Sequence, residues 1–132
     1  MERIKIVIPS EPVPAARPRF GGHVYQPKRN RAYRAIVQQA ARSAMKDRPP
    51  LQGEVTATVK LYRRYRPTTR IFGDVDNHLK AIFDGLNQIA IIDDAQIVRC
   101  LVEKFTDKED PRAEIELVTV GQPSVAEGDE KC

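Results

Sequence analysis

No apolar run in this sequence approaches the ~18 residues needed to cross a bilayer, so a membrane-spanning helix is not expected. The first ten residues, MERIKIVIPS, place Glu2, Arg3 and Lys5 where a secretory signal would need a long apolar stretch. A cytoplasmic location follows as the expectation. Cysteine is scarce: Cys100 lies in an apolar run and reads as a small buried residue, and Cys132 is the last residue. Neither suggests a disulfide or a metal site. The two histidines, His23 and His78, are not paired at metal-ligand spacing, so packing or solvent is the simpler reading of each. Nothing supports a serine or cysteine nucleophile with a histidine base, and there is no internal repeat. At 132 residues the chain suits one domain, small enough to profit from a partner subunit.

Charge is present in quantity and unevenly placed. Residues 1–70 hold 16 Lys and Arg against 4 Asp and Glu, a net of +12, whereas residues 71–132 hold 6 against 14, a net of −8. Together these give the overall +4. So basic a half implies an anionic partner, nucleic acid being the usual one and a membrane surface the other that fits. The acidic half needs its own reason.

Ile4, Ile6 and Ile8 alternate through Arg3–Ile8 as a strand with one buried side. Residues 9–30 carry five prolines and Gly21-Gly22, which predicts an extended, irregular arm bearing Arg17, Arg19, Lys28 and Arg29. From Arg31 to Lys46 the apolar positions Tyr33, Ile36, Val37, Ala40 and Ala44 recur at helical spacing. Pro49-Pro50 ends that helix, and Val55, Ala57, Val59 and Leu61 alternate as a second strand. A basic loop, YRRYRPTTR, follows with Arg63, Arg64, Arg66 and Arg70. A second helix is predicted over Asp76–Ile89 from the stripe Leu79, Ile82, Phe83, Leu86 and Ile89, with Gly85 inside it and close packing as the reason for a glycine. Two strands, Ile97–Phe105 and Arg112–Thr119, complete the order, and residues 121–132 are expected to be a disordered tail. The pattern is β-α-β-α-β-β. It predicts an α+β fold, one mainly four-stranded sheet with both helices on a single face, within a domain spanning residues 1–120.

The acidic stretch GDVDNHLK, residues 73–80, sits at the start of the second helix. If 73–76 are extended, Asp74 and Asp76 point the same way, about 7 Å apart at Cα, and could share a cation. Two carboxylates at about 4 Å repel by ~4 kcal/mol at an effective dielectric near 20, so pairing them is unfavourable without a cation or a proton. Hard oxygen ligands favour Mg²⁺ or Mn²⁺. Asp93 and Asp94 follow the helix, whose far end is about 20 Å away, so the intervening chain must fold back to bring them to Asp74. The ordinary alternatives are Asp76 as a helix N-cap and Asp93-Asp94 as turn residues. Lys80 is either the surface partner of Asp76 at i,i+4 or a cation facing a phosphate.

DVDNHLKAIFDGLNQIAIIDDAQI, residues 74–97, resembles the signature of the RusA family of Holliday junction resolvases: Asp-x-Asp-Asn, a Lys three residues after the Asn, an Asp-Ala-Leu-like triplet, then Asp-Asp-x-Gln. PVPAARPRF followed by VYQPKRNRAY is more loosely similar to the arm of that family's phage and prophage branch. The sequence departs from the common form at Gly73, where a proline is frequent, and at His78, where an apolar residue is.

The resemblance implies a homodimeric, Mg²⁺-dependent endonuclease, with Mn²⁺ as the substitute ion, that resolves four-way DNA junctions by paired phosphodiester cleavage in recombination and repair. It implies that Asp74, Asp76 and Asp94 hold the ion, that Lys80 is the essential basic residue, and that Asn77 fixes the turn; Asp93 is the less certain acid and Asp84 a structural one. Arg17, Arg19, Lys28, Arg29, Arg63, Arg64, Arg66 and Arg70 are the expected backbone-phosphate contacts. The rival readings are a module that binds branched DNA without cutting it and a nuclease acting on flaps or other branched intermediates.

Overall fold

The computed structural model describes residues 1–16 and 28–121. Arg17, Arg19, His23, Cys132 and nearly all of the expected tail lie outside the described residues. Seven elements follow in chain order: β1 (Arg3–Ile8), α1 (Lys28–Met45), β2 (Val55–Arg63), α2 (Val75–Leu86), a single 3-10 turn (Asp94–Gln96), β3 (Ile97–Thr106) and β4 (Arg112–Thr119).

The sheet is mixed, in the order β1-β4-β2-β3. β4 runs antiparallel to both β1 and β2, and β2 runs parallel to β3. A parallel neighbour needs a crossover connection, and α2 supplies it between β2 and β3. Registers such as Ile6↔Ile115 and Val59↔Ile115 line the alternating apolar residues of three strands on one face. Both helices pack there: α1 buries Tyr33, Val37, Ala41 and Met45, each one turn from the next, and α2 buries Ile82, Phe83 and Leu86. Each fully buried Val, Leu or Ile contributes about 1.5–3 kcal/mol relative to exposure, so this single face supplies most of the stability.

The helices cross at Gly85, where an added Cβ would come within 2.5 Å of Val37 Cγ1. Close packing is therefore why a glycine stands there.

Four expectations need correcting. α1 begins at Lys28, so Lys28, Arg29 and Asn30 are helical and do not belong to the irregular arm. α2 ends at Leu86, because Gln88 takes φ +72 and its N–H bonds the Ile91 carbonyl at 2.7 Å, reversing the chain before Ile89. Cys100 is exposed, since β3 is an edge strand and neither of its faces is fully covered. Finally, residues 73–76 are not extended throughout: Asp74 is the N-cap, and Val75 and Asp76 are already helical. The alternation argument for aiming Asp74 and Asp76 the same way fails with it, as does Asp76 as the cap.

Candidate active site and nucleic-acid interface

The entry to α2 is held from beneath. Gly73 takes φ +95, a conformation that suits glycine, and an added Cβ would meet His78 Nε2 and Pro14 Cγ at 3.1 Å. The three carbonyls ahead of Asp74 are each occupied. Arg63 donates from Nη1 to those of Ile71 (3.0 Å) and Phe72 (2.8 Å), His78 Nε2 donates to that of Phe72 (2.6 Å), and Lys104 Nζ donates to that of Gly73 (2.9 Å). Arg63 Nε also faces Glu11 at 3.4 Å, and its guanidinium lies over the Tyr65 ring.

Arg63 is therefore buried, 6% exposed, and cannot serve as the phosphate contact expected of it. The signal was available. β2 buries every odd position from Val55 to Leu61, and Arg63 continues that parity. Lys104, on β3, carried no such sign in the sequence and is the second residue missed.

His78 is packed, 1% exposed, with its ring edge-on to Phe72. Burial pushes its imidazole down to about 4, against the opposing bond to Phe72, so it is neutral near pH 7. It organises the helix start.

On that support stand Asp74 and Asp76, both exposed. The Asp74 carbonyl accepts the His78 N–H at 3.1 Å, but its side chain makes no capping bond; Asp76 Oδ1 accepts from the Asn77 N–H at 3.1 Å. Both carboxylates lie in the first turn, where the positive end of the helix dipole stabilises an acid by about 0.3–1 kcal/mol. The Asn77 carbonyl accepts from the Ala15 N–H at 2.9 Å, which ties residue 15 to the first turn of α2.

Lys80, one turn on, does not pair with Asp76. It is exposed and reaches Asp84 Oδ2 at 3.4 Å, which Arg34 of α1 also approaches at 3.9 Å. Asp84 so lies between a cation of α1 and one of its own helix. These three side chains, with Ala15, Ala16 and Asn30, line a cleft of about 210 Å³. Arg34 was read only as part of a polar face.

The second acidic pair is elsewhere. Asp93 caps the 3-10 turn through Ala95 N–H at 2.9 Å, and Gln96 completes a capping box by accepting from Asp93 N–H at 3.0 Å. Gln96 Nε2 also donates to the carbonyls of Leu51 and Gly53, both at 2.8 Å, tying the turn to the opening of β2. The turn therefore sits at the Val55/Ile97 end of the sheet. The Lys104-Gly73 bond sets Asp74 near the other end, where Arg63 pairs Thr106. α2 has 12 residues and spans about 18 Å between those ends. One chain does not bring Asp94 to Asp74, and among the described residues no group of three or more His, Cys, Asp or Glu is placed to hold a metal ion.

Exposed cations border the Asp74 end. Arg64, Arg66 and Arg70 lie on the loop between β2 and α2, Arg64 also facing Glu11 at 3.8 Å. Lys28 and Arg29 are exposed in the first turn of α1. Asn30 Nδ2 donates to the Pro14 carbonyl at 2.9 Å, and the adjoining Ala15 bonds Asn77, so α1 starts beside the first turn of α2.

The pattern of the family described as "Endodeoxyribonuclease RusA" matches residues 9–118. A protein of Bacillus subtilis (strain 168) described as "Uncharacterized protein YqaN" is 32% identical over 141 residues, an alignment covering 87% of this chain and 95% of that protein.

Proposed function

Because the chain belongs to the RusA family of endodeoxyribonucleases, whose members resolve Holliday junctions, we propose that it resolves four-way DNA junctions by paired, Mg²⁺-dependent nicks as a homodimer, in recombination and repair. The observation that carries this is the match over residues 9–118, which spans the basic arm and both acidic stretches.

The surface supports the substrate class. Arg64, Arg66, Arg70, Lys28 and Arg29 are exposed around the end of the sheet that carries Asp74 and Asp76. Side chains of this kind neutralise backbone phosphates, release counterions and give affinity without sequence information. Arg17 and Arg19, which lie outside the described residues, are assigned to the same role from the sequence. Lys80, exposed one turn from Asp76, is the cation assigned to a phosphate that approaches those acids.

The assigned metal ligands are Asp74, Asp76 and Asp94, whose oxygens suit Mg²⁺ or Mn²⁺. Within one chain they do not fit a three-carboxylate site, because Asp94 stands at the far end of α2. That separation also favours a second reading, a module that binds branched DNA without cutting it.

One experiment decides. Purified protein is incubated with labelled four-way junctions, flaps and linear duplex, with Mg²⁺ or with chelator, beside Asp74→Asn. Symmetric nicking of the junction only with metal, and junction binding without cleavage by Asp74→Asn, are expected. Binding without cleavage by the wild type would establish the module, and preferential flap cutting would establish a flap nuclease.

A further inference from the structure

At the crossing of α1 and α2 a Cβ added to Gly85 would also lie 3.5 Å from the Arg34 carbonyl. This close approach brings Arg34 of α1 up to Asp84 of α2. The Arg34 guanidinium and the Lys80 ammonium converge on one oxygen, Oδ2 of Asp84, at 3.9 and 3.4 Å. The carboxylate is the sunken member, its side chain 30% exposed against 46% for Arg34 and 66% for Lys80. An anion arriving from solvent therefore meets two cations before it meets the acid.

At 3.9 Å the Arg34 contact is too long for a hydrogen bond, so Asp84 offsets charge without engaging the planar N–H fork. The cleft of about 210 Å³ before these side chains is walled by Ala15, Ala16, Ala81 and Asn30. Its wall is fixed: Asn30 Nδ2 donates to the Pro14 carbonyl and the Ala15 N–H to the Asn77 carbonyl, both at 2.9 Å. Three alanines leave space, and among the described residues no aromatic ring lines the cleft on which a base could stack. What fits is a compact oxyanion. The arginine fork matches phosphate oxygens two at a time, and a lysine beside it adds a point charge.

Placement says which phosphate. Asp84 stands eight residues beyond Asp76 on α2, about 12 Å along the axis, with Lys80 midway. A strand laid along α2 with one phosphate at the acids brings its next phosphate, or the one after, to Arg34. Lys28 and Arg29, exposed in the first turn of α1, continue the positive track on the side of the acids. We propose that this cleft is a phosphate-binding subsite in which Arg34 holds a phosphate of the cut strand one or two nucleotides from the bond that breaks, while Asp84 keeps Arg34 and Lys80 from repelling each other. The place of the subsite in cleavage rests on the resolvase reading; its hold on a DNA phosphate does not.

Four-way junctions carrying a single uncharged methylphosphonate, placed in turn at each phosphate up to two nucleotides either side of the cut, test the contact with Mg²⁺ present. With the wild type, neutralising the phosphate that Arg34 holds is expected to slow nicking by about ten- to a hundredfold, the worth of a hydrogen bond between charged groups. Arg34→Ala should be slowed by a similar factor on the ordinary junction. At that one position it should lose no more than about twofold further, because two deletions of one contact do not add. Losses that multiply at every position overturn the proposal.

Urea unfolding separates the subsite from a brace between helices. Arg34→Ala is expected to unfold with the wild-type midpoint, since an exposed ion pair of this length contributes little to stability. A variant whose loss of DNA affinity only follows its loss of folded protein would make the Asp84 contact a brace and overturn the subsite. A wild type that cuts no DNA would end the resolvase reading, and junction binding at several salt concentrations would still judge the cleft. Arg34→Ala should then flatten the slope of log affinity against log salt by about 1. An unchanged slope overturns the proposal.

Discussion

The guanidinium of Arg63 donates to the carbonyl of Phe72 at 2.8 Å, from the floor of the loop that presents Asp74. Arg63→Ala would leave the Ile71 and Phe72 carbonyls without this donor and strip a partner from the half-buried Glu11. An unsatisfied buried polar group costs about 1–3 kcal/mol. The variant is expected to lose about 2–3 kcal/mol in urea unfolding. Arg63→Lys should not restore it, since one ammonium cannot reproduce the planar fork that serves Ile71, Phe72 and Glu11 together.

Arg66 and Arg70, exposed on the same loop, should behave in the opposite way. Arg66→Ala and Arg70→Ala are expected to leave urea midpoints nearly unchanged while weakening binding of all DNA sequences alike. Each should flatten the dependence of log affinity on log salt by about 1. Binding isotherms at several salt concentrations check this. A loss confined to one DNA sequence would mean that the residue reads bases.

The contrast between Arg63 and Arg66 also marks how far the sequence could be read. Periodicity placed β1 and β4 to the residue, because Ile4, Ile6 and Ile8 or Ala113, Ile115 and Leu117 alternate against one continuous core. It failed where backbone geometry decided: the start of α2 depends on Gly73 at φ +95 and its end on Gln88 at φ +72, neither of which is a matter of hydrophobic spacing. Lys104 could not be found from the sequence, since its partner is a backbone carbonyl 31 positions earlier. The helix length already set Asp94 about 20 Å from Asp74, but whether the chain then folds back was not legible, for a related reason. It is set by β3 running alongside β2, a pairing that only the assembled sheet defines.

Gly85→Ala should destabilise the fold despite alanine's helix propensity, an advantage of ~1 kcal/mol over glycine. The new methyl would meet Val37 at 2.5 Å where α1 and α2 cross, and overpacking of this kind costs about 1–3 kcal/mol. Val37→Ala makes room for the methyl, so the double variant should be more stable than the sum of the single losses predicts, a coupling that a double-mutant cycle in urea measures.

Asp93 and Asp94 are adjacent and both exposed, yet they should part company on substitution. Asp93 caps the 3-10 turn through the Ala95 N–H and shares its capping box with Gln96, which in turn ties the turn to Leu51 and Gly53. Asp93→Ala removes a cap, a loss of ~1 kcal/mol, and should leave substantial cleavage because Gln96 still anchors the turn. The Asp94 carboxylate makes none of these bonds, so Asp94→Asn should unfold like the wild type. If Asp94 is a ligand, its loss removes cleavage while junction binding persists. Urea unfolding, gel-shift binding and junction nicking, measured on both variants in parallel, separate the two roles; cleavage surviving in Asp94→Asn but lost in a stably folded Asp93→Ala would exchange their assignments.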